Sequence, residues 1–138
     1  MRKRTLAREF ALQVLYQLDM TSDTPENALE NFWSNHQDEE IESGLKEFSS
    51  ELVKGVAKNR EEIDKRIVQY AANWQLKRMA VVDRNIMRLG AFELLYREDI
   101  PPKVSINEAV ELAKKFSGLE SGKFVNAILD KVRLEKNK

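Results

Sequence analysis

Four cations, Arg2, Lys3, Arg4 and Arg8, fall within the first eight residues of the chain. Such a cluster can neutralise phosphates, and arginine adds bidentate contacts and base stacking that lysine cannot match. It also fits a solvated helix start, although positive charge near a helix N-terminus opposes the macrodipole. A second candidate is Lys123 beside Phe124, which follows the polar connection Ser117 to Gly122. Phe124 reads either as a core aromatic or as a face on which an unpaired base stacks next to a positive charge. Phe116, on an apolar stripe, reads as core.

Other chemistries find little support. The sole histidine, His36, lies in a polar stretch near Asp38 and Glu39 and reads as a solvated loop residue, because a metal site would need more nitrogen or sulfur ligands than the chain supplies. The carboxylate pairs Glu39 with Glu40 and Glu61 with Glu62 are adjacent in sequence, and on a helix neighbours diverge by about 100°, so neither pair converges on a substrate. No Gly-rich phosphate loop, nucleophile elbow or dinucleotide fingerprint is present. Zero cysteines remove disulfides, thiolate metal sites and cysteine nucleophiles together. The expectation is a chain with no catalytic residue, no metal and no cofactor.

Composition sets the outer limits. At 138 residues the chain is about one domain, and 42% apolar with 33% charged residues is ordinary for a soluble globular protein. No apolar run approaches the roughly 20 residues needed to cross a bilayer. Arg8, Glu9 and Gln13 interrupt the stretch that a secretory signal would require, so a cytoplasmic protein without membrane association is expected. The 23 basic and 23 acidic residues cancel, which leaves the distribution of charge as the informative feature. Cations gather at both ends, Lys131, Arg133, Lys136 and Lys138 at the second, and acidic residues at Asp38 to Glu42.

The elements that position these side chains read as helices throughout. Leu6, Phe10, Val14 and Leu18 recur every four residues with Ala7, Ala11 and Leu15 beside them, an amphipathic pattern. Thr24 and Pro25 are a cap and first position for a second helix ending near His36. Leu45, Phe48, Leu52, Val56, Ile63, Ile67 and Tyr70 predict one continuous rod from about Leu45 to Ala72. From Val81 to Tyr96 apolar residues surround most of the circumference, which predicts a buried central helix. Pro101 and Pro102 stop it, Ser105 with Glu108 forms a capping box for the next helix, that helix ends at Gly118, and Ser121 caps the last. With five glycines, three prolines and no strand-like alternation, the fold class is all-α. Two helical subdomains, Met1 to Ala72 and Asn73 to Lys138, packed as one globular domain, are the expected organisation.

Several short motifs, taken in order, also carry a resemblance. They are Ala7-Arg8, Ala11 and Leu15-Tyr16, then Trp74, Arg78-Met79, Asp83-Arg84-Asn85-Ile86 and Glu93-Leu94. Asp99-Ile100-Pro101, Ile106-Asn107-Glu108-Ala109, Glu111-Leu112-Ala113-Lys114 and Lys123-Phe124-Val125-Asn126 follow. Together they resemble the NusB family of bacterial transcription antitermination factors across essentially the whole chain, apart from Thr21 to Ser50. The resemblance implies two three-helix bundles joined by a short turn of helix around Trp74. It implies RNA contact by the N-terminal arginine-rich segment, Arg2, Lys3, Arg4 and Arg8, and by Lys123 and Phe124. It also implies contact of Tyr16 and Asp83 with a small-subunit ribosomal protein, called NusE in that setting. Ala127 stands where the family often has glycine.

The function so implied is a non-enzymatic RNA-binding adaptor. It would recognise single-stranded boxA-type RNA in nascent ribosomal RNA transcripts together with NusE, and act in an antitermination complex with RNA polymerase as a monomer or homodimer. A different class is a protein-binding helical scaffold without intrinsic RNA affinity, whose basic end is only a solvated face. A domain of this kind also occurs fused to RNA cytosine methyltransferases, but the 138 residues leave no room for that catalytic domain.

Overall fold

The structure, a computed structural model, describes residues 2–37, 40–71 and 79–136. Among them are seven helices and no strand: α1 (Lys3–Met20), α2 (Pro25–Ser34), α3 (Ser43–Lys58), α4 (Arg60–Tyr70), α5 (Val81–Tyr96), α6 (Pro102–Phe116) and α7 (Leu119–Lys136). The all-α expectation holds. The turn of helix expected around Trp74 lies outside the described residues.

The chain divides into two compact units, Met1–Lys58 and Asn59–Lys138. The rod predicted from Leu45 to Ala72 is corrected, because it is interrupted at the start of the second unit. Asn59 takes φ −109° and ψ 16°, ending α3 before α4 begins. Asparagine is a weak helix former whose side chain competes for backbone partners, so a break there costs little. Beyond it α4 buries Ile63 and Ile67 and packs on α5 and α7. Among the described residues the second unit therefore holds four helices and the first three.

In the first unit α1 packs chiefly on α3, and α2 lies against both. Phe10, Val14 and Leu15 of α1, Leu29 and Phe32 of α2, and Leu52, Val53 and Val56 of α3 are buried. Buried Ser49 donates its hydroxyl to the Ala7 carbonyl, joining α3 to α1 within the core. Thr24 accepts from the Asn27 N–H at 3.1 Å, and Pro25 opens α2 as predicted. His36 is not a freely solvated loop residue: its ring stacks on Phe32 with centroids 4.1 Å apart, and Nδ1 lies 2.7 Å from the Phe32 carbonyl.

In the second unit α5 is buried from Asn85 to Leu94, and α4, α6 and α7 all pack on it. Helix α7 approaches closely at Gly90, where a Cβ would stand 2.6 Å from Leu129 Cδ1. The buried polar residues Asn85, Arg88 and Glu93 of α5 find partners within this unit. Arg88 donates to both Asp64 oxygens, at 2.7 and 3.1 Å, and to Asn85 Oδ1. Glu93 accepts from Ser105 Oγ at 2.9 Å.

That bond explains a second correction. Ser105 does not cap α6; the helix starts at Pro102, whose fixed φ suits a first turn and whose missing donor is no loss there. Ser105 is thereby moved inside α6 and buried, and its hydroxyl turns to Glu93. Similarly, α7 begins at Leu119, so Ser121 lies within its first turn. Helix α6 does end where expected, with Gly118 at φ 141°, a region that favours glycine.

Candidate nucleic-acid interface

The N-terminal cations belong to the first unit. Arg2 is the extended residue preceding α1, and Arg2, Lys3 and Arg4 are exposed along the helix start. The first turn of α1 contains no acidic residue, so the macrodipole there disfavours the charge locally. Lys3 Nζ reaches Glu42 Oε2 at 2.7 Å, but both side chains are largely exposed, and such a pair contributes little. Arg4 places its guanidinium 4.3 Å from the Phe48 ring centroid, a cation–π contact that holds the stem while the side chain stays at the surface.

Arg8 departs from the sequence expectation. It is only 2% exposed, with its guanidinium carbon 5.5 Å from the same Phe48 centroid. One buried aromatic thus underlies two arginines, one facing solvent and one enclosed. The enclosed arginine supports the surface at which Arg4 stands and offers no face to a phosphate.

Lys123 and Phe124 belong to the second unit, on the second turn of α7. Lys123 is 78% exposed at its side chain, with Nζ 3.6 Å from Glu120. Phe124 is half-buried, which anchors the ring and leaves part of it accessible. The connection from α6 is tight: the N–H groups of Ser117 and Gly118 both donate to the Ala113 carbonyl at 2.8 Å. Phe116, predicted as core, is instead 46% exposed, with Lys115 Nζ 5.3 Å from its centroid. It ends α6, where the apolar stripe runs past the last packing partner, a limit that periodicity cannot mark.

Tyr16 and Asp83 lie on different units. Tyr16 is 44% exposed on α1, and Met20, four residues on and therefore on the same face, is also exposed. Met20 was not singled out from the sequence; its spacing from Tyr16 was the available signal. Asp83 sits in the first turn of α5, where a carboxylate favours the helix dipole. It accepts from Ser121 Oγ at 3.0 Å. The basic C-terminal run is partly engaged internally, Arg133 with Asp130 at 2.8 Å and Lys136 with the Leu94 carbonyl at 2.6 Å. Among the described residues no cluster of three or more His, Cys, Asp or Glu could hold a metal, and no helix is long and apolar enough to cross a membrane. Ala127 is exposed.

Comparison with known proteins agrees with this fold. A model of the NusB family matches residues 5–133. The chain is 51% identical to the transcription antitermination protein NusB of Myxococcus xanthus (strain DK1622), covering 98% of this chain and 97% of that protein. It is 48% identical to the protein of that name from Desulforapulum autotrophicum, covering 97% and 93%. Among solved structures, T. maritima NusB superposes with a TM-score of 0.86 at 36% identity, covering 96% of this chain and 91% of that one. A crystal structure of the antitermination factors NusB and NusE in complex with dsRNA matches with a TM-score of 0.86 at 29% identity and 98% coverage of both chains. The family is one of transcription antitermination factors and not of enzymes. By the match along its length, its identity to these relatives and its all-α fold, the chain belongs to the NusB family.

Proposed function

We propose that this chain is an RNA-binding transcription antitermination factor that reads single-stranded boxA-type RNA in nascent ribosomal RNA transcripts together with ribosomal protein NusE. It acts in the cytoplasm, as a monomer or homodimer, within an antitermination complex containing RNA polymerase. Arg2, Lys3, Arg4 and Lys123 follow the phosphate path, Phe124 stacks on a base, and Tyr16 and Asp83 meet the ribosomal protein. Arg8 serves the same surface from beneath, by supporting it beside Phe48.

One observation carries the RNA reading. Arg2, Lys3 and Arg4 stand exposed on a helix start that contains no acidic residue, where the dipole makes cations locally unfavourable. A bound polyanion supplies the compensation that the helix does not. The solved complex of NusB and NusE with dsRNA, whose matching chain shares this fold, supports NusE and RNA as the partner classes.

The test is fluorescence-anisotropy binding of a boxA-like single strand and a scrambled strand, with and without NusE, for wild type, Arg4→Ala and Phe124→Ala. Preference for the boxA-like strand, strengthened by NusE and weakened at least about fivefold by either substitution, is the expected result. Absence of RNA binding in every condition would leave the helical scaffold as the better reading.

A further inference from the structure

The junction carrying Lys123 and Phe124 is tied to α5 by a side-chain relay that neither the RNA contact nor helix capping explains. Ser121, in the first turn of α7, donates to Asp83 Oδ2 at 3.0 Å, bridging 38 residues of sequence. Its oxygen also lies 2.9 Å from Ser117 Oγ, at the end of α6. A serine hydroxyl has a single proton, and that of Ser121 is committed to Asp83, so Ser117 is the donor in the second bond. The direction of the relay is thus Ser117 to Ser121 to Asp83. The other carboxylate oxygen, Asp83 Oδ1, is buried and takes no hydrogen bond from the described residues. Ser121 is therefore a costly donor to lose, since its removal would leave the partly buried carboxylate poorly satisfied.

Resting on the RNA reading above, we infer that Asp83 and Ser121 are positioning residues for the Lys123–Phe124 contact. Ser121 precedes Phe124 by three residues, nearly one helical turn, so both lie on neighbouring parts of one face. The main-chain junction between α6 and α7 turns at Gly118, held by the Ser117 and Gly118 N–H bonds to the Ala113 carbonyl, and has no side-chain tie of its own at the glycine. The relay supplies a side-chain tie beside those main-chain bonds. It pins the end of α6 and the start of α7 to the first turn of α5, and with them the accessible part of the Phe124 ring. A substitution at Asp83 then alters RNA binding even where no partner protein is present.

The experiment measures affinity for the boxA-like single strand, without NusE, for Ser121→Ala, Ser121→Thr and Asp83→Ala, with Ser121→Ala repeated in a Phe124→Ala background. Thermal unfolding verifies that each variant is folded. Ser121→Ala and Asp83→Ala are expected to weaken binding about fivefold, the factor of one lost hydrogen bond, and Ser121→Thr to restore it by keeping the hydroxyl. In the Phe124→Ala background Ser121→Ala should have no further effect, which a general loss of structure would not reproduce. Unchanged affinity in Ser121→Ala, or equal loss in both backgrounds, overturns the relay alone, provided that Phe124→Ala weakens binding. No RNA binding by the wild type, with or without NusE, overturns the RNA reading and the relay with it.

Discussion

Arg4 and Arg8 lie one helical turn apart beside the same Phe48 ring, and their roles separate by burial. A guanidinium at the surface keeps its donors for phosphate, whereas one enclosed in the core directs them to the protein and adds packing through its stem. Arg8→Ala should therefore destabilise the fold by about 2–3 kcal/mol in urea unfolding, the order expected when a buried, partnered polar side chain is removed. Arg4→Ala should shift stability by less than about 0.5 kcal/mol and act on RNA affinity instead. Equal stability for the two variants would contradict this separation. The sequence showed four cations in eight positions and no means of ranking them. Arg8 occupies a helical position between Ala7 and Ala11, close to the apolar stripe, yet whether a long side chain turns inward depends on what α3 presents to it.

At the level of elements, junctions decide more than helix interiors. Gly118 at φ 141° closes α6 and opens α7, and a Cβ there would meet no neighbouring atom, so any penalty for alanine is one of backbone conformation alone. Gly118→Ala is expected to cost about 1–2 kcal/mol in thermal or urea unfolding. It should also weaken RNA binding, because the turn it strains leads directly to Lys123 and Phe124. The bounds of α5 and the Thr24-Pro25 start of α2 were legible because periodicity, capping and proline geometry are local properties. Ser105 and Ser121 misled for the opposite reason. Each resembled a cap, and each instead bonds to a carboxylate on α5 that is 12 or 38 residues distant.

For the molecule as a whole, a net charge of zero conceals an uneven distribution. On the proposed reading, in which Arg2, Lys3, Arg4 and Lys123 contact phosphates of a single strand, log affinity against log salt has a slope of about −3, reduced in magnitude by about 0.7 in Arg4→Ala. Titrating affinity between low and physiological salt checks both values, and a flat response would remove the phosphate contacts. The sequence by itself determined that the chain is all helical, which faces of its helices are apolar, that α5 is enclosed, and where cations and an aromatic stand together. These follow from residue type and spacing over a few turns, and the family motifs extend them along the chain. Only the tertiary structure decided that α4 joins the second unit, that Arg8 is interior, that Phe116 is exposed, and that Asp83 holds Ser121. Each of those depends on which surfaces meet after the chain has folded back on itself, and a helical period carries no information about the partner that covers it.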